Sequence, residues 1–475
     1  MLGKRMKTRI FALSALAISC SMAHAQEESA LDYLGAQVVE GARFWGYGRG
    51  GTGTSTDKVL GLRSDLANNG FNIIETAGNP HAQTGRLGNE GNFAEFHVDY
   101  GLVLNDMNWV IKTNIATDME KFNLDEWWVA GQGVFKSSPG AVIWVGKRYY
   151  QRYKAEILDY HMLQNDGVGA GIDDWDFGFA KFNFGITKQE NGDTYGSDFC
   201  STTDPTYECD TSGRSGYRGG YHSVNTRLHD MKVTDNIAAS VFFNYGFYAG
   251  SDTTLSEGGS MTAKDMKPNS YQTGFSIKQG QWADYNEFVV RYSSDIGKSM
   301  TQDWLDTPST QIGAFFQGMQ ELGDSFRVQY AVVYEGQKFD DEALKRNLVS
   351  ITKSDWGNIT VRPTYIWDDR FSTDLELSYD QIKLDAREGY GESGTNSSYK
   401  VTLSQNVHIG GTFWDRPVLR FFVTYGQSDT DTTVYNNRHG EGVDNPSWEW
   451  RHNPYVTEKG KNSATTVGAQ FETWW

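Results

Sequence analysis

Phe93, Glu95, His97 and Asp99 fall two residues apart, as do Tyr285 and Glu287 with Arg291 in the same phase, and Gln470, Glu472 and Trp474. Residues two apart on a strand share a face, so each series sets an aromatic ring beside charged or amide groups. Tyr47 and Arg49 repeat the arrangement over a shorter stretch. Such faces stack apolar surfaces and exchange hydrogen bonds, which is binding chemistry rather than bond-making chemistry. The spacings that signal bond-making chemistry fail. Gly48-Arg49-Gly50-Gly51-Thr52-Gly53 has the dinucleotide spacing, but no amphipathic helix follows it and no βαβ unit surrounds it. Gly297-Lys298-Ser299 resembles the end of a phosphate-binding loop, yet Tyr292 stands where its first glycine belongs. The nine histidines show no metal-ligand spacing, and no Gly-x-Ser-x-Gly turn occurs. No enzymatic activity, cofactor or metal is expected.

The elements that must carry these faces alternate from end to end. Ala94 to Leu102, Ile237 to Phe247, Phe326 to Tyr334, Leu375 to Tyr379 and Leu419 to Tyr425 each place apolar residues in one phase and mostly polar ones in the other. The closing stretch does the same, with Val467, Ala469, Phe471, Thr473 and Trp475 opposite Thr466, Gly468, Gln470, Glu472 and Trp474. Lipid on one side and a wet lumen on the other produce this pattern. The mean hydropathy of −0.56 is compatible with a membrane protein of this kind, since only every second residue meets lipid. An aromatic share of 14% with only nine prolines suits many strands. Between strands, short turns alternate with long polar excursions, the longest from about Lys188 to Asn225 and from Gln427 to Asn462.

The first 25 residues read as an export signal. Lys4, Arg5, Lys7 and Arg9 precede a short apolar run from Ile10 to Ile18, and Ala23-His24-Ala25 is a small-x-small cleavage site. A lipoprotein signal ending at Cys20 is disfavoured because Ala17-Ile18-Ser19 lacks the usual upstream leucine. Cleavage removes four cations and no acid from a chain with net charge −17. So acidic a chain is a poor nucleic-acid partner. Cys200 and Cys209 remain, and in an oxidising compartment they are expected to close a loop as a disulfide, with two free thiols as the alternative. Residues 26–42 form a short N-terminal segment of undetermined structure, and residues 43–475 a single barrel domain.

Five separated blocks resemble the maltoporin family: Phe44-Trp45-Gly46-Tyr47-Gly48-Arg49, Arg86-Leu87-Gly88-Asn89-Glu90, Trp144 through Arg152, Arg362 through Trp367, and Glu472-Thr473-Trp474-Trp475. The resemblance runs from about residue 43 to the C-terminus. It implies an all-β, 18-stranded transmembrane antiparallel barrel with long external loops and an inward-folded third loop. It further implies an outer-membrane homotrimer of Gram-negative type that passes maltose and maltodextrins. An aromatic "greasy slide" is implied at Tyr47, Phe93, Tyr285, Trp367 and Trp474, with Trp127 or Trp128 standing for a sixth ring on a second loop that reaches the neighbouring subunit. Alternation supports Phe93, Tyr285 and Trp474, supports Tyr47 more weakly, and does not support Trp367, which shares its phase with Val361 and Tyr365.

Polar tracks are implied at Arg49, Arg86, Glu95, Arg152 and Asp159, with Arg148 nearby. A lumen charge that merely keeps the channel wet is the alternative for any one of them. At the constriction, His161 replaces a family tyrosine and Lys154 an acidic residue. His161 is expected to make ion selectivity depend on pH near the unperturbed value of about 6.5. A glucose ring has apolar C–H faces and a hydroxyl rim, so it fits rings flanked by charges. The competing readings are a porin for sucrose, a β-glucan oligomer or general small solutes, and a plugged barrel whose loops bind or adhere.

Overall fold

The computed structural model describes residues 41–56, 73–79, 83–105, 107–118, 121–188, 221–249, 268–281, 284–301, 307–346, 350–389, 391–410, 414–434 and 459–475. The expected signal, the segment before residue 41 and the Cys200–Cys209 pair lie outside them. Eighteen antiparallel strands form one closed sheet, each hydrogen-bonded to its chain neighbours. The seam is closed by β1 (Gly41–Ser55), which pairs with both β2 (Phe93–Leu104) and β20 (Gly460–Trp474). The first strand begins two residues before the expected boundary at 43. The two longest excursions are shorter than expected, because β10 (Tyr221–Thr234) starts before Asn225 and β19 (Val418–Thr430) runs past Gln427.

Alternation places side chains as the sequence suggests. On β11 (Ile237–Tyr248), Val241, Phe243 and Tyr245 are exposed on the outer face while Ser240 and Asn244 are buried inside. On β2, Val98 and Tyr100 face out while Glu95, His97 and Asp99 face in. At the seam, an added Cβ on Gly46 would lie 2.5 Å from the Trp475 ring. Glycine therefore lets that terminal indole settle over β1, beside Phe44 and Phe96.

Two loops fold back into the cylinder. The first, after β5 (Val142–Arg148), carries a small hairpin of β6 (Tyr153–Ala155) and β7 (Tyr160–Leu163), joined through a 3-10 turn at Glu156–Leu158. Its Ile157, Leu158, Tyr160 and Met162 are buried against inward-facing Phe242, Val289, Phe315, Val333 and Trp356 of the wall. These wall residues break the polar-inside rule because they cover the hairpin, not the water-filled lumen. Tyr160 donates to Glu335 and sits edge-on to Trp356 at 5.0 Å. Glu335 in turn pairs with Arg291 at 3.4 Å, both side chains fully buried. Such a pair fixes position more than it adds net stability.

The second inward segment, residues 73–79 and 83–90, lies against the opposite wall. Leu87 N–H donates to Glu376 at 3.0 Å, and Lys400 donates to the same carboxylate at 2.7 Å. Gly88 has a φ of +61°, and an added Cβ there would come within 2.7 Å of Phe422 and Thr424. A side chain would therefore push this segment off the wall and carry Arg86 and Glu90 away with it.

Candidate functional site: the lumen constriction

Between the two inward segments the lumen narrows to a cavity of about 350 Å³. The closure of the barrel assembles much of it. Tyr47 lies opposite Glu95 on one side and Trp474 on the other, while Arg49 lies opposite Phe93 and Glu472. Residues from both ends of the chain thus meet because the first strand is paired with the last.

Of the expected slide, Tyr47, Phe93, Tyr285 and Trp474 line the cavity. Tyr47 and Phe93 have ring centroids 6.4 Å apart. Trp367 does not join them. It lies in the turn after β16 (Ile351–Ile366), 63% exposed, edge-on to Tyr365 at 4.6 Å and donating its indole N–H to Thr373 at 2.8 Å. Tyr365 and Thr373 lie on the outer phase of their strands, so Trp367 belongs to the lipid-facing rim. The lumen ring at that end is Trp414, which lies 6.3 Å from Trp474 and lines the cavity. Alternation had given Trp367 no support, and its place in the slide rested on the resemblance alone. Nothing periodic marks Trp414, which sits in the turn before β19.

Trp127 and Trp128 also fall elsewhere than expected, on β4 (Phe122–Gln132) rather than in a loop. Trp127 is 64% exposed on the outer face. Trp128 is buried inside, beneath Arg148 at 4.6 Å and bonded to Glu126 at 3.2 Å, and does not border the cavity. Arg148 is equally removed from the lumen, held by Asp173 at 2.7 Å among Trp128, Trp144 and Tyr150.

All five polar-track residues, Arg49, Arg86, Glu95, Arg152 and Asp159, line the cavity together with His161 and Lys154. Arg49 pairs with Glu90 at 2.9 Å and Asp159 at 3.2 Å, while Lys154 reaches Asp159 at 2.6 Å. Arg86 pairs with Glu90 and donates to the Tyr47 hydroxyl at 2.8 Å. Arg416 and Arg420 converge on Glu472 at 2.8 and 2.9 Å. Arg152 lies 3.3 Å over the ring of Tyr149, whose hydroxyl donates to Asp125 at 2.7 Å. Basic and acidic groups lining the cavity nearly balance, seven against six, so the constriction carries little net charge within a strongly acidic chain.

The surroundings of His161 argue against the expected histidine switch. Burial, reinforced by Arg152 and Lys154, holds His161 well below its ordinary value. The imidazole is therefore neutral through the neutral range. Burial would raise Asp159, but Lys154, Arg86 and Arg49 outweigh it and hold that carboxyl well below the usual range. Glu156 is raised, because its burial exceeds the help from Lys154 and Arg86.

Sequence reasoning placed Glu472 on the lumen face with Trp474 but missed Trp45, Tyr149 and Trp414 among the rings and Glu90, Arg416 and Arg420 among the charges. Trp45 shares the phase of Tyr47 and Arg49, so alternation could have found it. Tyr149 stands inside a recognised block, but a loop residue has no phase to read.

A model of the LamB porin family matches residues 42–475. The chain belongs to the LamB porin family. It is an outer-membrane channel of Gram-negative type, built on the closed barrel described above. Among solved structures it is similar to OccK3 (OpdO) of Pseudomonas aeruginosa, with 8% identity, a TM-score of 0.42, and 94% of this chain and 100% of that one covered. OmpF of Salmonella typhi matches at 10% identity and a TM-score of 0.39, covering 91% of this chain and 97% of that one. The channel DcaP of Acinetobacter baumannii matches at 11% identity and 0.38, with the same shares covered.

Proposed function

We propose that this LamB porin carries maltose and maltodextrins by facilitated diffusion, as a homotrimer and without a cofactor. The observation that carries the reading is one cavity in which five rings, Tyr47, Phe93, Tyr285, Trp414 and Trp474, stand beside charges already paired with one another. A paired lumen offers an ion no net attraction, whereas an uncharged polyol can exchange water for both donors and acceptors along its edge. The rings supply the complementary surface for sugar C–H faces, each contact contributing about 0.5–1.5 kcal/mol. Several such contacts in sequence bind a chain near the millimolar range, about 4 kcal/mol, and release it readily.

Block of single-channel current by maltohexaose, compared with cellohexaose, tests the reading. Stronger block by the α-linked sugar is expected. Equal block by both would leave a sugar pore without a maltodextrin preference.

A further inference from the structure

Three lysines interrupt the apolar outer face at one place. Lys338 ends β15 (Phe326–Lys338), Lys353 lies near the start of β16, and Lys383 lies near the end of β17 (Phe371–Ala386). All three are exposed and share the outward phase of their strands, that of Val332 and Tyr334, of Ile359, and of Leu377 and Tyr379. Register brings them together. Lys338 lies directly opposite Lys353, Lys353 opposite Asp385, and Lys383 opposite Asp355. This end of the barrel carries the connections 339–350 and 387–393, whereas the same strands turn within 322–325 and 367–370 at the other end, so the lysines stand on the external side. Just below them, an outward row of Tyr334, Tyr379, Tyr399 and Tyr425 marks the boundary of the hydrocarbon. The Tyr334 hydroxyl donates to Asp355 at 2.8 Å, which ties that boundary to the charged level above it.

The charges at this level do not cancel. Asp355 is taken by Lys353 and Tyr334, and Asp385 lies 3.6 Å from Lys383. Lys338 forms no ion pair among the described residues, although Asp340, Asp341 and Glu342 follow it closely in the chain. Three cations thus face two carboxylates, in a chain whose net charge is −17. Like charges directly opposite on paired strands repel, so an anion between Lys338 and Lys353 relieves them. At this depth a membrane supplies one, the phosphate of a lipid headgroup. We propose that Lys338, Lys353 and Lys383 hold the phosphate of a phosphorylated lipid in the external leaflet, while its acyl chains lie on Val332, Ile359 and Leu377 below. Each ammonium brings three donors on a flexible stem, which suits the several acceptor oxygens of a phosphate. Free phosphate lacks the acyl contacts and binds less tightly. The site lies outside the lumen and is independent of the cargo.

Native mass spectrometry of the full-length porin in detergent tests this, with lipid A, dephosphorylated lipid A or inorganic phosphate added. The unsubstituted porin is expected to retain lipid A and to hold the dephosphorylated lipid and inorganic phosphate roughly tenfold more weakly or worse. Replacing the three lysines together, Lys338→Gln, Lys353→Gln and Lys383→Gln, should cost a similar factor for lipid A. Lys461→Gln, on the same outward rim at the start of β20 but paired with Asp429 at 3.6 Å, should cost nothing. Undiminished retention of lipid A by the triple variant would overturn the site. An equal loss in Lys461→Gln would overturn it too, by showing a diffuse attraction of the rim. Inorganic phosphate held as tightly as lipid A would overturn the lipid as the source of the phosphate. Should the triple variant not assemble, equal retention of lipid A and its dephosphorylated form by the unsubstituted porin is enough to overturn the proposal.

Discussion

Trp414 and Trp367 make the sharpest contrast between two residues of one type. Trp414 stands in the lumen beside Trp474, and Trp367 hydrogen-bonds to Thr373 on the outer rim. Trp414→Ala should weaken maltohexaose block by about 0.5–1.5 kcal/mol, or roughly two- to twelvefold. Trp367→Ala should leave it unchanged, and current-noise titration of both variants checks this. His161 gives a second outcome at this scale. Its burial beside Arg152 and Lys154 lowers its proton affinity, so acidification through the ordinary histidine range adds no positive charge. Conductance and anion preference should hold level from about pH 7.5 to about pH 5.5, and a step centred near 6.5 would contradict the geometry. A change on further acidification is expected from Glu156, whose carboxyl is raised by its burial. The sequence made Phe93, Tyr285 and Trp474 legible because each shares a phase with charged or amide neighbours. It left Trp414 and the state of His161 illegible, since one lies in a turn and the other depends on cations brought by folding.

The inward hairpin is the element on which the constriction depends. Its Tyr160 rests on Glu335, and Glu335 alone compensates Arg291 as an acidic partner within 4 Å among the described residues. Glu335→Ala removes the carboxylate and leaves a buried guanidinium, a loss of about 3–5 kcal/mol. The hairpin should then loosen while the barrel persists, giving higher and noisier open-channel current with weaker sugar block. Single-channel recording reads both. A variant with unaltered current would show that the apolar seat formed by Phe242, Phe315 and Trp356 suffices. The same seat explains where strand reading faltered. Phe242 and Val333 point inward yet are apolar, because alternation reports what a side chain touches, and here that is a loop folded back from far away in sequence. The ends of the long excursions were misjudged for a related reason, as the outer-phase residues there, His222 on β10 and Gln427 and Asp429 on β19, are polar, so apolar alternation does not mark them.

At the scale of the whole molecule, a single topological fact orders the rest. The pairing of β1 with β20 closes the sheet and sets Tyr47 beside Trp474 and Arg49 beside Glu472. The fold class was legible from period-two patterning alone, and the strand count came with the family resemblance. The closed cylinder, its lumen rings and its balanced charges together support the proposed pore for an uncharged, hydroxyl-rich chain. Reconstitution into a planar bilayer, with single-channel current recorded during addition of maltohexaose, tests that description most directly. Discrete conductance steps that are reversibly interrupted by the sugar at about millimolar concentration are expected. A barrel that passes no current, or whose current is indifferent to the sugar, would contradict it.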